Sequence, residues 1–117
     1  MSAVDTTRID LLEHFLDLTS TRHGLIAGNI SNIDTPGYRT RDMDFKAEVM
    51  KLVKSPEQTP GPVVREVRNL MERPDGNNVS LDREGLLLAQ TQLQYRMGIQ
   101  LVKEEIHRIE MAINDGK

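Results

Sequence analysis

The chain contains no cysteine, which removes disulfides, thiol nucleophiles and the cysteine-based zinc clusters from consideration. It also has no tryptophan, and aromatic residues make up only 3% of its 117 residues. With 38% hydrophobic residues overall, few large side chains are available to fill a globular core, so a compact, self-sufficient fold is not expected. No apolar run approaches the roughly 18 residues of a membrane span, so direct membrane insertion is not expected. The first residues, Met1-Ser2-Ala3-Val4-Asp5, lack the basic start and apolar stretch of a cleaved signal, so export would need a route that reads something else. Excess positive charge is missing as well. A formal net charge of -3 and a pI of about 5.6 give no long-range attraction for nucleic acid or anionic lipid.

Proline is absent from both end segments: all five prolines (Pro36, Pro56, Pro60, Pro62, Pro74) lie in the middle of the chain. The ends can therefore be long helices and the middle cannot be one helix. From Thr7 to Ile33, Ile9, Leu12, Leu16, Thr19, His23, Ile26, Ile30 and Ile33 recur at alternating steps of three and four, a heptad-like stripe interrupted by Thr19 and His23. Thr7 followed by Asp10 suits its first turn. In the C-terminal segment Leu81, Leu88, Tyr95, Val102 and Ile109 form one seven-residue series, with Ile99, Ile106 and Ile113 between them and Gln92 as the polar exception. Ser80 can cap this helix, and Glu104 and Arg108 are ordered for an i,i+4 pair. Gly85 inside it costs about 1 kcal/mol relative to alanine. Two such helices would each be on the order of 40–50 Å long, more than a small globule encloses.

The fold class that follows is mainly α. Long N- and C-terminal helices pair as an antiparallel-type coiled coil, joined by a proline-containing, loosely ordered insert with at most a short helix or strand. Residues 1–38 form the first helix and a turn motif, 39–78 a flexible insert and 79–117 the second helix, together one structural unit. The seam is expected at Ile9, Leu12, Leu16, Ile26, Ile30, Leu88, Tyr95, Ile99, Val102, Ile106, Ile109 and Ile113. Within the insert, Phe45 to Leu52 can extend as a short helix, whereas the alternation in Val63-Val64-Arg65-Glu66-Val67 is too short to assign.

No catalytic set, cofactor loop or metal cluster can be assembled from this sequence. His14, His23 and His107 are dispersed, and His23 falls on the seam, where a packing role outweighs ligation. Asp34, Asp42 and Asp44 lack the ligand pattern of a calcium loop and read as turn and surface residues. Gly24 and Gly28 do not make a phosphate loop. An enzyme is not expected, and no cofactor or metal site is assigned.

The most informative stretch is Asn29-Ile30-Ser31-Asn32-Ile33-Asp34-Thr35-Pro36-Gly37-Tyr38. Pro36 pushes Thr35 out of the helical region, and Pro36-Gly37 suits the centre of a type II turn, with Gly37 supplying the positive φ. Asn29 and Asn32, three apart, can bond backbone groups freed at the helix end, or a neighbouring chain; the plainer alternative is a helix terminus with solvated amides.

This stretch resembles the N-terminal signature shared by flagellar rod, hook and hook-associated proteins, with Ser31 where that signature usually has alanine. Thr35 to Phe45 and Gly76 to Glu84 are similar to the proximal-rod branch of the same family. The resemblance implies a structural subunit of the proximal rod of the bacterial flagellar basal body. Its terminal helices would join a helical tube that surrounds the export channel and transmits torque, with Asn29, Asn32, Thr35, Pro36, Gly37 and Tyr38 as the assembly and turn motif. Implied partners are other copies of the chain, other proximal rod proteins, the rod-base adaptor FliE, the membrane-supramembrane ring and the flagellar export gate. The implied location is the rod within the periplasm, reached by type III export without a cleaved signal peptide. The rival reading of the stripes is a soluble two-helix adaptor or export chaperone that binds a client helix.

Overall fold

A computed structural model describes residues 5–55 and 60–115. The expectations placed on Met1 to Val4 and on the proline-rich break at Pro56 to Thr59 lie outside the described residues. The chain runs α1 (Thr7–Ser31), β1 (Arg41–Met43), α2 (Phe45–Lys54), β2 (Val64–Glu66) and α3 (Leu81–Asp115). Among the described residues no helix is long and apolar enough to cross a membrane.

α1 and α3 lie side by side and antiparallel. Arg8 reaches Glu105, Phe15 and Leu16 meet Gly98, and Asn29 bonds Glu84, so residue numbers fall along α3 as they rise along α1. The seam on α3 is narrower and more polar than its leucine and isoleucine pattern suggests. Its buried positions are Glu84, Thr91, Gly98 and Glu105, a strict seven-residue series beside the apolar one. Gly98 permits a close approach: a Cβ there would sit 2.6 Å from Leu16 Cδ2 and 3.2 Å from Phe15 Cδ2. Leu88, Ile99, Val102 and Ile109 flank this line half-buried, whereas Tyr95, Ile106 and Ile113 remain 44–45% exposed and Gln92 is exposed. On α1, Ile26 is buried, Ile9, Leu12, Leu16 and Ile30 are half-buried, and His23 is exposed. α1 begins at Thr7 with Asp10 in its first turn, and Thr7 N also donates to Asp5 Oδ1 at 2.9 Å. One detail differs from the sequence reading: Arg108 pairs with Glu105 rather than Glu104, because Glu105 is the carboxylate turned toward the seam.

α1 spends a second face on the insert. Leu18, Met43 and Leu52 form a small core, packed by Leu11, Phe15, Leu25, Phe45 and Val49. Phe15 meets Phe45 edge to face at 5.7 Å, and the Arg22 guanidinium lies over the Phe45 ring at 5.6 Å, a cation–π contact. The short helix expected from Phe45 is α2, capped by Asp44 Oδ1 accepting from Ala47 N at 3.1 Å. The Val63 to Val67 stretch supplies β2, which pairs antiparallel with β1 in the register Arg41–Glu66, Asp42–Arg65 and Met43–Val64.

The molecule measures 68 × 25 × 17 Å, with a radius of gyration of 18.5 Å where a globule of this length would have about 13 Å. Its accessible surface is 8218 Å², against about 6,450 Å² for a globular monomer of that mass. Leu86, Leu93 and Met97, on the side of α3 away from α1, are each more than half exposed.

Candidate functional site

The signature stretch folds into a junction where the end of α1, the chain leading into β1 and the start of α3 converge. α1 stops because Pro36 follows. Tyr38 N donates to Thr35 O at 3.2 Å across the turn, and Gly37 takes φ +76°, as a type II turn requires at that position. Gly76, at φ +85°, comes so close that a Cβ on it would lie 3.5 Å from Gly37 Cα, so two glycine turns are stacked backbone on backbone.

Asn29 is the centre of the junction and is 1% exposed, not solvated. Its Nδ2 donates to Glu84 Oε1 at 2.6 Å and to Arg41 O at 2.9 Å. Its Oδ1 accepts from Tyr38 Oη at 3.0 Å and from Arg41 N at 3.1 Å. Every donor and acceptor of the amide is used, and together they tie the end of α1 to Tyr38, Arg41 and Glu84. Asn32 acts locally, donating to Gly28 O at 2.7 Å and accepting from Thr35 Oγ1 at 3.0 Å, which closes the frayed end of α1. Of the motif residues, Thr35, Pro36 and Gly37 are exposed and Tyr38 is half-buried.

Two further asparagines complete the closure. Asn77, wholly buried, donates from Nδ2 to the carbonyls of Asn32, Ile33 and Thr35 at 2.8–3.1 Å and accepts Val79 N at 2.9 Å. Asn78 Oδ1 accepts Thr40 N at 2.7 Å. Arg73 donates to Ile33 O and Val79 O, tying the same two strands of chain from outside. α3 then begins with Ser80 Oγ accepting Arg83 N at 3.2 Å, the expected cap.

Beneath the amides lies an ionic chain. Asp42, read from sequence as a turn or surface residue, is 7% exposed. Its Oδ1 accepts Arg22 Nε at 3.2 Å and Met43 N at 2.7 Å, and its Oδ2 accepts Arg22 Nη2 at 3.1 Å and Arg83 Nη2 at 2.8 Å. Arg83 also reaches Glu84 Oε2 at 2.6 Å, and Glu84 is fully buried. Burial pushes the Asp42 carboxyl up, but the hydrogen bonds from Arg22, Met43 N and Arg83 outweigh it and hold the group below its ordinary value of 3.8. A carboxylate depressed in the folded state contributes stability that is fully present above the unfolded value and is lost as pH falls through the folded one. Acid denaturation below about pH 5 should therefore be shallower in Asp42→Asn than in the parent, which a series of urea melts between pH 2 and 6 would show. Equal slopes would remove Asp42 from the acid response.

The sequence pattern puts Asn29, Asn32 and the turn at the end of α1, without saying what they bond there. It did not assign Asn77, Asn78, Arg22, Asp42 or the Arg83–Glu84 pair to it. The available signal was an Asn-Asn pair just before the helix cap, in the second segment that carries the resemblance. Among the described residues no group of three or more His, Asp or Glu side chains could hold a metal ion.

No protein-family model matches the chain. The flagellar basal body rod protein FlgB of Salmonella typhimurium is 31% identical, the alignment covering 86% of this chain and 88% of that protein. FlgB of Escherichia coli is 30% identical over the same shares of the two chains. The chain belongs to the FlgB family. FlgB of Borrelia hermsii, at 26% identity, is matched over 90% of this chain and 94% of its own length, so the likeness includes the insert as well as the two helices. FlgB proteins are structural rod proteins, and the chain is not an enzyme. It is a component of the flagellar basal body rod.

Proposed function

We propose that this FlgB-family chain builds the proximal rod by joining its α1–α3 pair to those of its neighbours in a helical tube, which surrounds the export channel and carries torque. Support comes from its shape: a 68 Å two-helix unit whose longer helix keeps Leu86, Leu93, Met97, Tyr95, Ile106 and Ile113 open to solvent. Such a helix gains most of its remaining apolar stabilisation from other chains. The partners in this reading are further copies, other proximal rod proteins, the rod-base adaptor FliE, the membrane-supramembrane ring and the export gate. The chain would leave the cytosol through the flagellar type III apparatus and work in the periplasm.

The Asn29 junction contributes to this assembly from within the subunit. It fixes the angle at which α1 enters α3, so the two helices present one rigid surface. Asn29, Asn32 and the Thr35 to Tyr38 turn would thus support assembly from within the subunit, by holding the helix ends, rather than by touching a neighbour.

Deletion of the encoding gene should leave basal bodies without a rod, and purified wild-type basal bodies should contain the polypeptide. A rod that forms without it would overturn the proposal. A soluble adaptor or export chaperone would be missing from the finished particle. Hydrogen exchange gives a second check: amides in the exposed outer turns of α3 should exchange freely in a dilute monomer and become protected in the rod.

A further inference from the structure

The outward sides of α1 and α3, which the intramolecular seam leaves uncovered, carry matching patterns. On α1, Asp10, Asp17, Gly24 and Ser31 form a seven-residue series, all exposed. On α3, Ala89, Arg96 and Lys103 form another, also exposed, with Leu86 and Leu93 beside it at 72% and 60% exposure. Asp10, Asp17, Arg96 and Lys103 make no ion pair within the chain among the described residues. A Cβ added to Gly24 would meet nothing within 4 Å, so the middle of the α1 face is open.

The antiparallel register fixes which of these residues stand level. Because Arg8 faces Glu105 and Asn29 faces Glu84, Asp10 stands level with Lys103, Asp17 with Arg96 and Gly24 with Ala89. Seven residues of helix span about 10.5 Å on both sides, so the two opposite-charge pairs can close together. Leu86 and Leu93 then straddle the level of Gly24, where two large side chains meet a helix surface without bulk.

We infer that a second copy of this chain, in the same orientation and with an axial shift of less than one helical turn, about 5 Å, seats the outer face of its α3 on the outer face of α1. Asp17 then pairs with the neighbour's Arg96, Asp10 with its Lys103, and Gly24 receives its Leu86 and Leu93. The contact is heterologous, because each copy offers both faces and uses each once, so it propagates instead of closing as a two-fold dimer. The surplus surface of the monomer, about 1,800 Å², is of the size that a standard interface hides. This inference rests on the proposed rod function and adds the faces, the orientation and the register.

The absence of native cysteine makes the test clean. In a chain carrying Gly24→Cys and Leu93→Cys, the two thiols lie on opposite outer sides of the helix pair, beyond the Cα separation of about 7 Å that a disulfide spans. Mild oxidation of purified basal bodies should therefore give a ladder of dimers and higher multimers on a non-reducing gel, whereas Gly24→Cys with Val63→Cys should not. Rods that contain the variant but give no multimers overturn the inference and leave the rod function standing. Absence of the wild-type chain from rods overturns the function itself. If the cysteine variant does not assemble, charge reversal decides. Asp17→Arg and Arg96→Asp should each lower rod yield about tenfold or more, and the two together should restore it. Normal yield from both single variants, or no recovery in the double, overturns the inference.

Discussion

Asn29→Asp should destabilise the chain by about 3–5 kcal/mol, the scale of leaving a buried charge without a partner. The substitution keeps the shape and removes both Nδ2 donors. A carboxylate oxygen then stands where the amide nitrogen lay 2.6 Å from Glu84 Oε1 and 2.9 Å from Arg41 O, two groups that can only accept. Asn29 is 1% exposed and Glu84 fully buried, so water cannot relieve the repulsion. Stabilities of folded domains are about 5–15 kcal/mol, so a loss of this size would leave little folded chain to assemble. Chemical denaturation of the isolated chain measures the loss. Adding Glu84→Gln tests its cause, since a side-chain amide at 84 can donate to the new carboxylate, and the double variant should recover more than half of the lost stability. Failure to recover would mean that the loss comes from the donor withdrawn from Arg41 O, not from the Glu84 contact.

Gly98→Leu should cost on the order of 3 kcal/mol and force the helices apart at a tightly packed point of the seam. The first added carbon already falls 2.6 Å from Leu16 Cδ2 and 3.2 Å from Phe15 Cδ2, and the larger side chain has no space beyond it. Because Phe15 also packs on Phe45, the displacement would carry into the insert core. Gly85 provides the control on the same helix. A Cβ there meets nothing within 4 Å, so Gly85→Ala should raise stability by about 1 kcal/mol through helix propensity alone. Urea melts of the two variants should move in opposite directions. A Gly98→Leu chain as stable as the parent would show that the seam can open without loss.

Much of the architecture was legible in the sequence. Proline confined to the middle, with three- and four-residue steps at both ends, is enough to place two long helices, because both signals are local consequences of backbone geometry. Pro36-Gly37 likewise fixes the end of α1 and its turn, through the restricted φ of one residue and the positive φ of the other.

Which face of α3 meets α1 was not local. The apolar series through Leu81, Leu88 and Tyr95 is the stronger pattern, yet the buried line runs through Glu84, Thr91, Gly98 and Glu105. Periodicity counts apolar residues. It does not register that a glycine lets two backbones approach, or that a buried glutamate is acceptable once Asn29 and Arg83 bond it. Asp42 was misread for the same reason: its partners Arg22 and Arg83 are twenty and forty-one residues away. Short-range chemistry in the sequence determined the two long helices and the turn that follows α1. Only the tertiary structure decided the seam, the ionic chain beneath the asparagines and the surfaces left free, because those depend on which distant residues the fold brings within hydrogen-bonding distance.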